Sequence, residues 1–311
     1  MQTQIPPAPK RILDRYQRLA LIGSGGGSEV YRAFDPIMDQ TVALKRMQLE
    51  RTDRAEDQAR FLREPLAMQS IDHPCVPKQF DLVEDAFPKP YFTMELIRGV
   101  DLRRILYGLR GGVSSVIADY PLERLAAIVA EVGDCLAAAH EAGVLHRDVK
   151  PENIMVMESG DVKLIDWGTA KWIIEPDRQA DESSPVDGVD RRVNVRLTHV
   201  DQIIGTPLYM SPEQIGGTFT LDGRSDVFSL GAVLFDCLAL NTLVQGNDLA
   251  SVLNYTLGGD YRTPTDVGRR DWVPEELEAI CMRAVSRDRE RRFQSAREMA
   301  EALSEAMCQA V

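Results

Sequence analysis

His146-Arg147-Asp148-Val149-Lys150-Pro151-Glu152-Asn153, followed at a short distance by Leu164-Ile165-Asp166-Trp167-Gly168, is the stretch on which the reading of this 311-residue chain turns. Just before it lies an amphipathic pattern. Leu122, Leu125, Val129, Val132, Leu136 and Ala139 recur at alternating steps of three and four, which draws one apolar stripe along a helix. Pro121 suits the first turn of that helix and Gly143 its stop. After the decisive stretch come further helical patterns at 225–240, 274–285 and 295–307.

Further upstream the text changes character. From Tyr16 to Leu96 it reads as strands, at 18–22, 30–33, 41–47, 78–83 and 91–96, with one charged helical segment between Thr52 and Ser70. Between the first two strands stands Ile22-Gly23-Ser24-Gly25-Gly26-Gly27-Ser28-Glu29-Val30. Glycines there let the backbone approach a phosphate closely, with N–H groups free to point at it. Taken alone the run reads more readily as a plain turn. It is not a Walker loop, because no Gly-Lys-Ser/Thr follows, and it opens no helix. Lys45 sits in the apolar strand Val42-Ala43-Leu44-Lys45, where it either snorkels to solvent or meets an anion, and Glu64 could pair with it.

Composition bounds the partners. Lys and Arg total 36 against 48 Asp and Glu, a net charge of −12, which repels a phosphate backbone and excludes nucleic acid as an expected partner. Apolar residues at 44% and charged residues at 27% exclude collagen-like or wholly disordered chains. No apolar run approaches the ~18–20 residues of a membrane span, so no membrane insertion is expected. The amino terminus has no apolar core of a secretory signal, and a cytoplasmic location follows as the expectation. Cys75, Cys135, Cys237, Cys281 and Cys308 show no Cys-x-x-Cys spacing. They read as buried thiols, with neither zinc nor a disulfide framework indicated.

In order along the chain, SGGGSEVYRA, VALK, HRDVKPENIM, DWG, GTPLYMSPEQ and SDVFSLGAVLFDCL resemble the eukaryotic-like (Hanks-type) protein kinases, specifically their bacterial Ser/Thr branch. The resemblance covers nearly the whole chain. It implies an α+β bilobal fold: a five-stranded antiparallel β lobe with one main helix at 16–96 and a larger, mostly helical lobe at 97–305. A flexible lead-in at 1–15 and a tail at 306–311 would flank them. The implied activity is transfer of the γ-phosphoryl of ATP to Ser or Thr hydroxyls of protein substrates, with magnesium or manganese as cofactor.

Carried over residue by residue, the resemblance implies that Gly23, Ser24, Gly25, Gly26, Gly27 and Ser28 cover the phosphates. Lys45 would hold the α- and β-phosphates, oriented by Glu64. Asp148 would align the attacking hydroxyl, and Lys150 would contact the transferring group. Asn153 and Asp166 would bind the metal through oxygen. Ile22, Val30 and Ala43 would pack above the adenine and Met155 below it, with Met94 at the back. Glu95 and Ile97 would offer backbone hydrogen bonds. Glu213 would pair with Arg292, and Asp226 would brace the loop around Asp148. The Asp148-x-Lys150 pattern looks like the Ser/Thr type. A pseudokinase and a small-molecule kinase of similar fold are the competing readings. The complete set Lys45, Asp148, Asn153 and Asp166 disfavours the first, and the Ser211-Pro212-Glu213 motif the second.

Three departures stand out. Trp167 replaces the usual Phe, and its ring is still expected to pack on the helix carrying Glu64. Pro65 follows Glu64 directly, and a proline inside a helix costs ~3 kcal/mol or more. The helix is therefore expected either to kink there or to begin near Pro65. Glu64 is still expected to reach Lys45, because Phe61, Leu66 and Met68 form an apolar face. Finally, the segment between Asp166 and Glu213 is long, with a charged insertion at 175–196 that reads as a solvated loop. Regulation is the sharper reading: a phosphate on Thr198, or on Ser183 or Ser184, would pair with Arg147, after self-association for trans-autophosphorylation.

Overall fold

A computed structural model describes residues 15–25, 27–48, 55–83, 90–173, 207–216, 221–246, 248–268 and 273–309. Gly26, the insertion at 175–196 and the phosphosite candidates Thr198, Ser183 and Ser184 lie outside them.

The first part is a sheet in the order β1-β2-β3-β5-β4, antiparallel throughout, built from β1 (Gln17–Gly25), β2 (Ser28–Asp35), β3 (Gln40–Met47), β4 (Gln79–Val83) and β5 (Tyr91–Glu95). Alternate residues of these strands bury Ala33, Val42, Leu44 and Tyr91 around Tyr16 in a small core of its own. Arg15, assigned to the lead-in by the sequence, is tied down instead. Its guanidinium donates to both oxygens of buried Asp35 and pairs with Asp81 at 2.9 Å.

Helix α1 (Ala55–Ser70) crosses the sheet and runs through Pro65, so it does not begin there. Glu64, Pro65, Ala67 and Met68 are buried, and the Phe61 ring sits 5.5 Å from that of Phe92 in β5. Burial of this face outweighs the carbonyl partner lost at the proline. Leu66, expected on the same face, is exposed: two positions past Glu64 it points the other way round the helix.

Past β5 come β6 (Gly99–Asp101), α2 (Leu102–Arg110), α3 (Ser114–Asp119), α4 (Leu122–Glu141) and β7 (Val144–Leu145). The Asp101 carboxylate caps α2 by accepting the Arg104 amide. α4 buries Leu125, Val129, Val132, Leu136 and Ala139, the stripe expected from sequence. Two small sheets follow. β6 pairs with β8 (Ile154–Met157), which pairs with β9 (Val162–Leu164), and β7 pairs with β10 (Lys171–Trp172). The remaining helices are α5 (Pro212–Gly216), α6 (Gly223–Ala239), α7 (Leu249–Gly258), α8 (Pro264–Val267), α9 (Glu275–Ala284) and α10 (Ala296–Gln309). α6 is buried from Ser225 to Ala239 on every face, so it forms the axis on which α4 and α9 pack. This is the α+β, two-part architecture expected.

One further boundary expectation changes. α10 continues to Gln309 with Ala306 and Met307 packed on the core, so 306–309 are helix rather than tail. The cysteine reading needs correcting as well. Cys308 is exposed, and Cys75 and Cys135, far apart in sequence, meet beside His73. Spacing along the chain could not reveal a cluster assembled by the fold.

Candidate active site

Two groups of the residues singled out from sequence meet in the fold: Lys45, Glu64 and Asp166 where the sheet part meets the helical part, and Asp148, Lys150 and Asn153 in the loop after β7. β1 and β2 form a hairpin that pairs Gly25 with Ser28, and Gly27 at φ +89° takes a conformation open to glycine. Within the sheet Val30 lies opposite Lys45, and Ala43 opposite Met94. Ala43 is buried, Val30 and Met94 are half-buried, and Ile22 stands exposed on the glycine-rich hairpin. From the other part, Met155 comes up on β8 opposite Asp101. Glu95 ends β5, and its amide donates to the Lys78 carbonyl at 2.8 Å. Ile97 follows, half-buried.

Lys45 makes an ion pair with Glu64, and its Nζ lies 3.7 Å from Asp166 Oδ1. Burial alone would lower the lysine's pKa, but the two carboxylates more than offset it, so its pKa is raised and the ammonium is held charged. Asp166 takes left-handed backbone angles, φ 64° and ψ 65°, unfavourable for a non-glycine residue. Its strain is maintained by neighbours. The buried Trp167 ring packs edge-on against His146 at 4.6 Å and donates from Nε1 to the Leu164 carbonyl at 3.0 Å, with the turn it occupies resting on α1. A Cβ on Gly168 would come within 3.3 Å of both Asp166 Oδ1 and Glu64 Oε2, so a larger residue would crowd the carboxylates.

Asp148 lies in the loop after β7. Its Oδ2 accepts from Lys150 Nζ at 2.6 Å and from Asn153 Nδ2 at 3.1 Å. Asn153 Nδ2 donates also to the Asp148 carbonyl at 2.8 Å, which sets the amide's orientation and leaves Oδ1 as its free acceptor. That oxygen and the Asp166 carboxylate are the hard donors a magnesium-type ion takes, so the donor set fits such an ion.

The loop itself hangs on α6. Asp226, at its first turn, accepts the amides of His146 at 2.9 Å and Arg147 at 2.8 Å and contacts His140 Nε2 at 2.9 Å. Burial pushes this carboxyl up, yet the hydrogen bonds and His140 hold it below its ordinary value. Arg147 accordingly sits at φ 68°. Glu213 and Arg292 form a buried two-pronged pair at 2.7 and 2.9 Å.

Sequence reasoning gave no role to His146. The structure makes it a hub: its Nδ1 accepts the Asp148 amide at 3.2 Å, and its Nε2 faces the Ile165 carbonyl at 3.2 Å. Burial lowers its pKa, consistent with a neutral ring that donates from Nε2. Lys163 was missed too. It pairs with Glu95 at 2.8 Å across the two parts of the molecule. Its place between two apolar strand residues was the one available signal.

A family model for the protein kinase domain matches residues 16–304. This chain belongs to the protein kinase family. The kinase domain is 33% identical over 297 residues to the serine/threonine-protein kinase PknB of Mycobacterium leprae, an alignment that covers 94% of this chain and 43% of that protein. It is 31% identical over 297 residues to a probable serine/threonine-protein kinase of Streptomyces coelicolor, covering 94% of this chain and 40% of the relative. A probable serine/threonine-protein kinase of Corynebacterium efficiens is 34% identical over 298 residues, with 93% and 41% covered. The chain thus spans less than half the length of these relatives. Among the described residues, no helix of the kinase domain is long and apolar enough to cross a membrane.

Proposed function

We propose that this domain transfers the γ-phosphoryl group of ATP to Ser or Thr hydroxyls of protein substrates. The observation that carries the reading is that Lys45, paired with Glu64 and 3.7 Å from Asp166, is joined to the linked set Asp148, Lys150 and Asn153 through the Ile165 amide, next to Asp166, which donates to the Asn153 carbonyl at 2.8 Å. In the reaction the Lys45 ammonium holds the α- and β-phosphates, and Glu64 fixes its direction. The glycine-rich hairpin, residues 23–28, covers the phosphates, while Ile22, Val30, Ala43, Met94 and Met155 enclose the adenine. The Glu95 carbonyl and the Ile97 backbone meet its edge. Asn153 Oδ1 and the Asp166 carboxylate hold magnesium or manganese, which when bound supplies charge neutralisation to the phosphates. Asp148 Oδ2 orients the attacking hydroxyl and accepts its proton. Lys150, which neutralises Asp148 at rest, faces the negative charge that spreads over the transferring group.

Ser/Thr specificity rests on the short Asp148–Lys150 arrangement and on the names of the relatives. Arg147 supports control by phosphorylation. Its buried Nε has no partner among the described residues, and Arg63 adds positive charge nearby. A phosphate on Thr198, Ser183 or Ser184, placed there by a second copy of the chain, would satisfy it. Cytoplasm, where ATP is available, is the compartment this reading implies.

Incubation with radiolabelled ATP, magnesium and a generic protein substrate tests the proposal. Asp148→Asn and Lys45→Met are each expected to lower incorporation by about 10²-fold or more. Equal label in all three proteins would overturn it. Mass spectrometry of the same wild-type sample reads the loop: unmodified Thr198, Ser183 and Ser184 in a fully active enzyme would exclude control by phosphorylation there.

A further inference from the structure

Away from the phosphotransfer groups, the turn after α1 and the middle of α4 bring four donor side chains together. Glu131 and Cys135 stand one helical turn apart and share a face of α4. His73 and Cys75 flank Pro74 in a tight turn, closed by the Val76 amide donating to the His73 carbonyl at 3.0 Å. One ligating atom each from His73, Cys75 and Cys135 lies within 4.8 Å of the other two. Cys75 Sγ is also 3.5 Å from Glu131 Oε1. Both cysteines are fully buried, whereas His73 and Glu131 are partly exposed and leave an approach from solvent.

We propose that His73, Cys75, Cys135 and Glu131 form a structural zinc site, one imidazole nitrogen, two thiolates and one carboxylate oxygen around a single Zn²⁺. With bonds of about 2.0–2.3 Å, the donors of a tetrahedral zinc stand about 3.3–3.8 Å apart, so small side-chain rotations close His73, Cys75 and Cys135 on the ion, and Glu131, outside that 4.8 Å group but beside Cys75, must swing in as the fourth donor. Thiolate and imidazole donors select zinc over magnesium, which prefers oxygen, so the site does not compete for the metal of phosphotransfer. Charge favours the exchange as well. Zn²⁺ displaces the two thiol protons, the two thiolates balance the dication, and the single negative charge left by the carboxylate falls on Glu131, which is partly exposed.

Several weak hydrogen bonds are given up, among them those of the Cys75 thiol to Glu131. His73 Nδ1 now accepts the Cys75 amide at 3.2 Å, and the ring must instead offer a lone pair to the metal, at Nδ1 or by tautomer exchange at Nε2. Two metal–thiolate bonds replace these long contacts.

The position gives the site a consequence. Cys75 also accepts, at its carbonyl, the Leu164 amide at 2.8 Å, two residues before Asp166. Zinc would therefore clamp the end of α1, which carries Glu64, to α4 and to the strand that leads into Asp166. Its effect falls on the stability of this junction, and the proposal stands apart from the phosphotransfer reading.

The test uses the whole chain without a histidine tag, reduced and stripped of metal, then loaded with Co²⁺ or Zn²⁺ and desalted. Expected are one metal per chain by elemental mass spectrometry, a thiolate-to-cobalt charge-transfer band, and a higher melting temperature with zinc. Cys135→Ser and His73→Ala should each weaken zinc binding by about 100-fold or more, beyond the 10–100-fold that outer-shell changes cost. Cys308→Ser, outside the cluster, should bind as wild type. The cobalt spectrum of the wild type decides the matter even where a variant fails to fold. Absence of that band and of retained metal overturns the proposal. So does a chain 2 Da lighter, with Cys75 and Cys135 joined as a disulfide that zinc does not prevent.

Discussion

Replacing Arg292 by Met should destabilise the domain severely while touching no group assigned to chemistry. The Arg292 side chain is 0% exposed and its partner Glu213 5%. The guanidinium donates to Glu213 Oε1 at 2.7 Å and Oε2 at 2.9 Å, and to the carbonyls of Ser286, Arg224 and Arg287. Methionine fills the volume but donates nothing. Glu213 would keep only the Ser225 hydroxyl at 2.9 Å among these side chains. Removing one member of a buried pair costs about 3–5 kcal/mol. At about 2–4 °C per kcal/mol for a large domain, the melting temperature should fall by about 6–20 °C.

The pH dependence carries the sharper test. In the wild type, burial pushes Glu213 up but Arg292 outweighs it, so its pKa lies below the ordinary value. That contribution is present above about pH 4.5 and lost in acid. Without Arg292 the upward push of burial, the largest influence, is opposed only by the Ser225 hydroxyl and a backbone hydrogen bond. The folded variant then binds the proton more tightly than the unfolded chain and loses stability as pH rises. The gap between variant and wild type, followed by urea unfolding from pH 5 to pH 7.5, should therefore widen. Glu213→Gln in the Arg292→Met background should recover part of the loss, with a coupling of about 1–3 kcal/mol. A gap below about 1 kcal/mol at every pH, or strictly additive single losses, would refute the reasoning.

Three further outcomes follow from the packing around α6. Asp236 is raised to about 7 by burial, with Glu152 adding to the rise, despite Tyr209 donating to it at 2.6 Å and Arg110 and Arg103 nearby. The unfolded chain gives up this proton near pH 4. Stability should thus fall by on the order of a few kcal/mol between pH 4 and 7, and Asp236→Asn should flatten that slope in calorimetric scans. Gly231→Ala would put a Cβ 2.6 Å from Ala284 Cβ and 2.9 Å from Val285 Cγ1, forcing α6 from α9 at about 1–3 kcal/mol, measurable by urea unfolding. Asp226→Asn replaces one of two acceptor oxygens by a donor facing the His146 or Arg147 amide. It should cost about 1.5–3 kcal/mol and lower kcat more than it alters the KM for ATP in steady-state assays.

Which features could be read in advance depends on how they are encoded. Asp148, Lys150 and Asn153 lie within six residues, so their mutual geometry is largely local and their spacing carries it. The α4 stripe is legible for the same reason. Pro65 misled because propensity is local while its compensation is not. Phe92, Lys45 and Asp166 reach the α1 face from other elements. Leu66 misled by being apolar, though Glu64 and Pro65 define the inward face. His146 hid inside a recognisable motif because its work is done through Ile165, Trp167 and Asp226, none adjacent in sequence. The meeting of Cys75 with Cys135 needs the fold itself.

α6 shows why stability and positioning are hard to separate here. A helix buried all round should be apolar, yet Ser225, Asp226, Ser229 and Asp236 are buried in it. Other segments engage them: Ser225 binds Glu213, Asp226 the amides of His146 and Arg147, Ser229 the Tyr209 carbonyl, and Asp236 Oδ2 the Tyr209 hydroxyl, while Asp236 Oδ1 has no hydrogen-bond partner among the described residues. An unsatisfied buried group costs about 1–3 kcal/mol, so each segment is held in the one place where that cost is avoided. The helix therefore converts its own desolvation into the placement of the loop that carries Asp148 and of the segment around Tyr209. A substitution at Asp226 must then alter both stability and rate, although its carboxylate is engaged by His140 and the two backbone amides.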